Sequence, residues 1–172
     1  MQHLWTNWES RGKALEALHE MLPALGWKVA TAESLTAGMI ASTFANLSGS
    51  SAYLLGGIAA YSLDMKVNLL GVDRELAESC NCVSDAVAMQ MALGAQERTG
   101  AECVLAVTGY AEPWLEGGVK QPFAHYAILC NGKTYQSTLT IKGAGRWSFR
   151  AYLTTVVICR FATMVKGFHE DR

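Results

Sequence analysis

Asn131-Gly132 lies between two strand-like runs, residues 124–130 and 134–141, and fixes an antiparallel hairpin near the end of the chain. Both residues accept the positive φ of a two-residue type I′ turn, whose twist matches that of paired strands. Upstream the pattern is different. Short apolar runs at 27–32, 52–62 and 102–108 alternate with segments of helical spacing. Such alternation builds a sheet whose strands are joined by helices, and the hairpin makes that sheet mixed. The expected fold is an α/β, three-layer domain with a mixed β-sheet flanked by helices. No repeat, low-complexity tract or linker interrupts the 172 residues, so 1–172 reads as a single domain.

The helices follow from period and punctuation. Residues 12–25 place Leu15, Leu18, Leu22 and Leu25 on one face and stop at Gly26, with Pro23 in the last turn. Residues 36–46 repeat Ala37, Ile40, Ala41 and Phe44. Two short helices are expected at 64–70, stopped by Gly71, and at 73–79. Ser84 is a good cap for a helix with Val87, Met91 and Ala95 on one face, ending at Gly100. The last helix, 146–165, carries the stripe Phe149, Leu153, Val156, Val157, Phe161 and Met164. Gly56 and Gly57, inside a strand-like run, mark a bulge or close approach.

Composition excludes several classes. Net charge is −1 with no run of Lys or Arg, so no basic face for nucleic acid is expected. The longest apolar stretch, 54–61, is far short of the roughly 20 residues that span a bilayer. Residues 1–13 include Glu9 and hold no continuous apolar core, so they do not read as a signal peptide. A cytoplasmic protein without membrane contact is expected. Cys103, Cys130 and Cys159 fall in apolar periodic segments and read as core, while Cys80 and Cys82 form C-x-C in a turn. His3, His19, His125 and His169 show no helical pairing. No metal, cofactor or disulfide framework is expected.

Four segments carry groups suited to chemistry. Thr31-Ala32-Glu33-Ser34-Leu35-Thr36-Ala37-Gly38 spans a strand-to-helix junction. A hydroxyl there lies beside unpaired helix N–H groups that bind an anion or a developing oxyanion. The plainer reading, favoured by the segment alone, makes Ser34 or Thr36 a helix cap. Tyr61-Ser62-Leu63-Asp64-Met65-Lys66 puts a phenol and an ammonium near a strand end, and a buried Lys with a lowered pKa can activate a serine. A surface Lys beside a strand-end Tyr is the ordinary alternative. The loop from Thr108 to Gly118 is long and glycine-rich, which suits ligand binding. Finally, Gly143-Ala144-Gly145-Arg146 resembles a dinucleotide fingerprint, but it follows a hairpin and lacks the third glycine and the later acidic partner. Arg146 and Arg150, one turn apart, suit either a phosphate or surface carboxylates equally.

In order and spacing, these segments resemble the CinA C-terminal domain family. The likeness runs from about Leu15 to Val165. It comprises T-A-E-S followed by T-x-G (31–38), G-S-S (49–51), G-G-x-x-x-Y-S-x-x-x-K (56–66) and L-G-V (70–72). Val83-Ser84 opening a helix, A-V-T-G (106–109) and R-x-x-x-R (146–150) complete it. Active members of that family are nicotinamide-mononucleotide amidases. The resemblance implies catalytic roles for Ser34, Tyr61 and Lys66. It implies substrate contacts from Thr36, Gly38, Thr108, Gly109, Ala111, Gly117, Gly118, Arg146 and Arg150, with a small-molecule nucleotide amide as partner and no metal or cofactor. In the implied reaction Ser34 attacks the carboxamide, Lys66 takes its proton, Tyr61 relays or positions it, and N–H groups at 36–38 hold the oxyanion.

The chain departs from the family pattern at named positions. Leu35 stands for Cys and Ala37 for Gly. Glu112 replaces a Gly, two residues are inserted before Gly117-Gly118, and Gln121 takes a Lys position with Lys120 adjacent. A carboxylate beside a phosphate site repels it. Three functions follow: an amidase on nicotinamide mononucleotide, the same chemistry on a less anionic amide, or a non-catalytic binding paralogue. The apolar hairpin is compatible with a homo-oligomer.

Overall fold

A computed structural model describes residues 2–170, with side chains described for residues 9–168. The side chains of His3 and His169, and most of the 1–13 segment read above, lie outside that range. Five strands form one sheet: β1 (Val29–Glu33), β2 (Leu54–Ala59), β3 (Cys103–Tyr110), β4 (Phe123–Cys130) and β5 (Lys133–Thr140). Their spatial order is β2-β1-β3-β4-β5. β1 runs parallel to β2 and β3, and β3, β4 and β5 are successively antiparallel. The sheet is mixed, as the hairpin required. Asn131 and Gly132 carry φ of 44° and 81°, the positive pair that joins β4 to β5.

Among the described residues six α-helices cover the sheet: α1 (Gln2–Leu25), α2 (Met39–Ala45), α3 (Leu63–Leu70), α4 (Arg74–Ser79), α5 (Asp85–Thr99) and α6 (Arg146–Glu170). One face packs against α1, α2 and α6 through Leu18, Leu22, Phe44, Leu105, Phe149 and Phe161. The other packs against α3, α4 and α5 through small residues, among them Ala30, Ala32, Ala88, Ala92 and Ala106. With helices on both faces, every residue of β1 is buried. That explains why the interior strands read as continuous apolar runs while edge strand β5 alternates.

On the small-residue side the layers touch closely. A Cβ added at Gly94 of α5 would lie 1.8 Å from the Leu70 carbonyl oxygen at the end of α3. Gly94 therefore sets how deeply α3 sits on α5. Ser84 caps α5 by accepting from the Val87 N–H, and Gly71 and Gly100 end their helices in the left-handed conformation.

The differences from the sequence expectation have local causes. The helix read at 36–46 starts at Met39, because Ala37 and Gly38 take φ of 52° and 94°. β2 is shorter than the run 52–62, and its register against β1 shifts between Val29 and Ala30, which pair with Leu54 and Gly56. This is the bulge that the paired glycines marked. The stripe of α6 drifts, as a 3.6-residue period requires: Ile158 and Val165 are fully buried, and Val156 and Met164 only partly. Arg146–Phe168 reaches the length and mean hydropathy, 1.2, of a membrane span, but its apolar stripe is core of this domain. The five cysteines are free. Cys103 and Cys130 pair across β3 and β4 with sulfurs 3.5 Å apart, and that hydrogen bond together with burial pushes the Cys103 thiol far up.

Candidate active site

β1 ends at Glu33, and the next residue, Ser34, leaves the sheet between its two parallel neighbours. The Ser34 N–H donates to the Val107 carbonyl of β3 at 3.0 Å, and the Ala60 N–H, just past β2, donates to the Glu33 carbonyl at 2.9 Å. Ser34 thus stands where strands β1, β2 and β3 all end or open, with 7% of its surface exposed. Ligands gather at such carboxyl ends in parallel sheets.

The bend after Ser34 is held by one carboxylate. Glu33 is fully buried and accepts four hydrogen bonds: from Thr31 Oγ1 (2.9 Å) and from the N–H groups of Gly38 (2.9 Å), Ile40 (3.0 Å) and Ala41 (2.9 Å). A negative charge placed on the first amides of α2 satisfies groups that a helix leaves open and suits the positive end of its dipole. The cap position itself is Gly38, with no side-chain cap bond. Ser34 and Thr36 are therefore not the cap that the local sequence favoured. The Ser34 hydroxyl is left for another partner, and Thr36 Oγ1 is buried without one among the described residues. The Ala37 N–H donates to the Ser34 carbonyl, so the amides of Ala37 and Gly38 are engaged within the turn.

That partner is Lys66. Ser62 caps α3 by accepting from the Met65 N–H, and the short helix turns Lys66 inward to 2% exposure. Its Nζ lies 2.9 Å from Ser34 Oγ, 3.0 Å from the Ala60 carbonyl oxygen and 3.0 Å from that of Tyr61. None of these partners is a carboxylate. Burial lowers its pKa from the usual 10.5, opposed in a smaller degree by the Cys82 thiol. All three partners are uncharged oxygens, so no opposite charge offsets the cost of burying an ammonium here.

Tyr61 meets Lys66 only through its backbone. Its phenol, on an exposed side chain, accepts from Arg146 Nη2 at 2.7 Å. Arg146 Nη1 donates at 2.7 Å to Glu112 Oε1. The two arginines of α6 part company: Arg150 Nη2 donates to the Thr36 carbonyl at 2.9 Å, and its buried Nε has no partner among the described residues. Arg150 ties α6 to the Ser34 turn.

These groups surround a cleft of about 470 Å³. Ser34, Tyr61, Lys66, Thr108, Gly109, Ala111 and Arg146 line it, so the three residues expected to be catalytic share one cleft with four of the expected substrate contacts. Thr36, Gly38, Gly117, Gly118 and Arg150 are not on its wall. Gly117 belongs to a 3-10 turn (Leu115–Gly117) inside a small loop closed by pairing of Trp114 with Val119. A Cβ there would overlap the Trp114 ring. Thr108 Oγ1 donates to the Cys82 carbonyl at 2.7 Å, so its hydroxyl braces the 80–84 turn.

Several lining residues had no sequence signal. Asn81 and Cys82 enter the cleft from a turn in which both have positive φ, 48° and 62°. Asn81 Nδ2 donates to the Tyr110 hydroxyl at 2.8 Å. The role of Glu33 was also missed, although its partners lie only five to eight residues on. Among the described residues, no group of three or more His, Cys, Asp or Glu side chains could hold a metal ion.

Comparison with known proteins agrees with this architecture. Residues 12–165 match the sequence model of the CinA C-terminal domain. A CinA-like protein of Mycobacterium marinum is 40% identical over 135 residues, covering 76% of this chain and 31% of that protein. A CinA-like protein of Chlorobium limicola is 46% identical over 127 residues, covering 74% of this chain and 29% of that protein. The chain spans about a third or less of these relatives' length. Among solved structures, the competence/damage-inducible protein CihA from Agrobacterium tumefaciens superposes with a TM-score of 0.83 at 30% identity, covering 91% of this chain and 96% of that one. The competence damage-inducible protein A of Klebsiella pneumoniae gives 0.83 at 25% identity, covering 89% and 95%.

Proposed function

We propose that this chain, which belongs to the CinA C-terminal domain family, hydrolyses a carboxamide by acyl transfer through Ser34. Lys66 in its neutral form, which burial favours, takes the Ser34 proton as Oγ attacks the amide carbon. Leu35, next in the chain, lines the cleft, and its amide is the donor we assign to the oxyanion. Collapse of the tetrahedral adduct breaks the C–N bond, and the Lys66 ammonium returns its proton to the departing nitrogen, which leaves as ammonia. Water, giving a proton to Lys66, then attacks the acyl-Ser34 ester; as the acyl–oxygen bond breaks the Lys66 ammonium returns the proton to Ser34 Oγ, and a carboxylic acid is released. Tyr61 holds Lys66 by its carbonyl and Arg146 by its phenol.

The observation that carries this reading is the 2.9 Å contact between Lys66 Nζ and Ser34 Oγ, with burial lowering the lysine pKa and no acid beside it. Nicotinamide mononucleotide is the substrate that the resemblance implies, and the five free cysteines suit a cytoplasmic setting. The test is ammonia release from that compound and from its relatives, with Ser34→Ala as control. Equal release by parent and variant would sink the proposal. The Glu112–Arg146 pair favours a second reading, a less anionic amide.

A further inference from the structure

We infer that the substrate of this cleft is a planar ring carboxamide, neutral or cationic, that bears no phosphate. The inference rests on the amidase reading and narrows its substrate class. Among the lining side chains only Lys66 and Arg146 are basic and only Glu112 is acidic. Lys66 is sealed behind Ser34 and two carbonyls. The Arg146 side chain is 45% exposed, and it is already bound to Glu112 at 2.7 Å and to the Tyr61 phenol at 2.7 Å. Arg150, the other candidate for a phosphate, spends its Nη2 on the Thr36 carbonyl and lies off the wall. The protein therefore supplies its own anion to the one accessible guanidinium. A substrate phosphate would have to displace a tethered carboxylate and then sit beside it.

What the wall offers instead is aromatic surface. Tyr110 and Trp114 lie with ring centroids 5.8 Å apart and planes tilted by 30°, and Trp114 remains 43% exposed. Asn81 fixes the Tyr110 hydroxyl at 2.8 Å, and Tyr61, bonded to Arg146, also lines the cleft. A flat ring can stack on these faces, and a positive charge on the ring adds cation–π attraction and the field of Glu112.

The test uses two compounds that differ by one phosphate, nicotinamide riboside and nicotinamide mononucleotide. Their binding is measured by calorimetry on the Ser34→Ala variant, alone and combined with Glu112→Gln, so that the result does not depend on turnover. The riboside is expected to bind at least tenfold more tightly than the mononucleotide, and Glu112→Gln is expected to shrink or reverse that ratio by tenfold or more. Equal or tighter binding of the mononucleotide, binding of neither, or a ratio unmoved by Glu112→Gln overturns the inference. If a preference for the mononucleotide falls with Lys120→Met and Lys142→Met, the phosphate belongs in the neighbouring hollow those lysines line, and the inference is likewise overturned. The amidase reading fails separately: the binding preference holds, but the parent enzyme releases no ammonia from either compound.

Discussion

Lys66 Nζ lies 2.9 Å from Ser34 Oγ although the two residues are 32 positions apart and reach the cleft from different strand ends. The lysine is buried with no acidic partner, so its pKa is lowered. Activity is expected to rise with pH along a single limb whose midpoint lies below 10.5, the ordinary lysine value, as the ammonium becomes the base. Stability shares the sign. The unfolded chain binds this proton more readily than the folded one, so stability climbs as pH rises from the lowered native pKa towards 10.5. Lys66→Met should abolish turnover and remove that part of the climb. A pH–rate profile and urea melts at several pH values check both.

Glu33→Gln keeps the shape but leaves one acceptor oxygen where two received four hydrogen bonds, and it turns an NH2 group towards donors. Loss of stability by about 2–3 kcal/mol is expected, the range for buried donors stripped of a charged acceptor. For a chain of this size that lowers Tm by roughly 4–12 °C, taking about 2–4 °C per kcal/mol. Turnover should fall as well, because the Ser34 bend loosens. An unchanged melting curve would refute the assignment of Glu33 as the anchor.

Ala37 is exposed, off the cleft wall, and held at φ 52°, a conformation that disfavours a side chain. Ala37→Gly should stabilise the fold by about 1 kcal/mol and leave kcat unchanged. Calorimetry and one kinetic comparison decide it.

Gly94→Ala puts a methyl group into the Leu70 carbonyl, so α3 must lift from α5. Destabilisation of about 1–3 kcal/mol is expected from overpacking against backbone. Since α3 carries Lys66, kcat should drop although residue 94 is not on the cleft wall. A loss of Tm with intact kcat would show that α3 tolerates the shift.

The alternation of strands and helices, the Asn131-Gly132 hairpin, the Ser84 cap and the Gly56-Gly57 bulge were legible because each rests on a few neighbouring residues. Ser34, Tyr61 and Lys66 were legible by resemblance, and the sheet brings them to one cleft. What stayed hidden depends on chain reversal. Glu33 reads as one more polar residue until the bend returns three amides to it. The divergence of Arg146 and Arg150 was hidden because helical spacing gives a shared side, not the partners that wait there: Glu112 is 34 positions from Arg146, and Thr36 is 114 from Arg150. Thr36 and Gly38 were expected near substrate, but the turn that presents Ser34 faces them inward, towards Arg150 and Glu33.

Anchoring the bend from position 33 also separates what fixes Ser34 from what lies around it. The side chains after Ser34, Leu35 and Ala37 among them, are not part of the anchor, whose bonds from this segment come from backbone amides. The loop that contributes Glu112 and Trp114 follows the C-terminal end of β3, and among the described residues the four bonds of the anchor come from Thr31, Gly38, Ile40 and Ala41, not from that loop. If Ser34 and Lys66 react as proposed, changes in that loop can alter what enters the cleft while the contact between serine and lysine stays as it is.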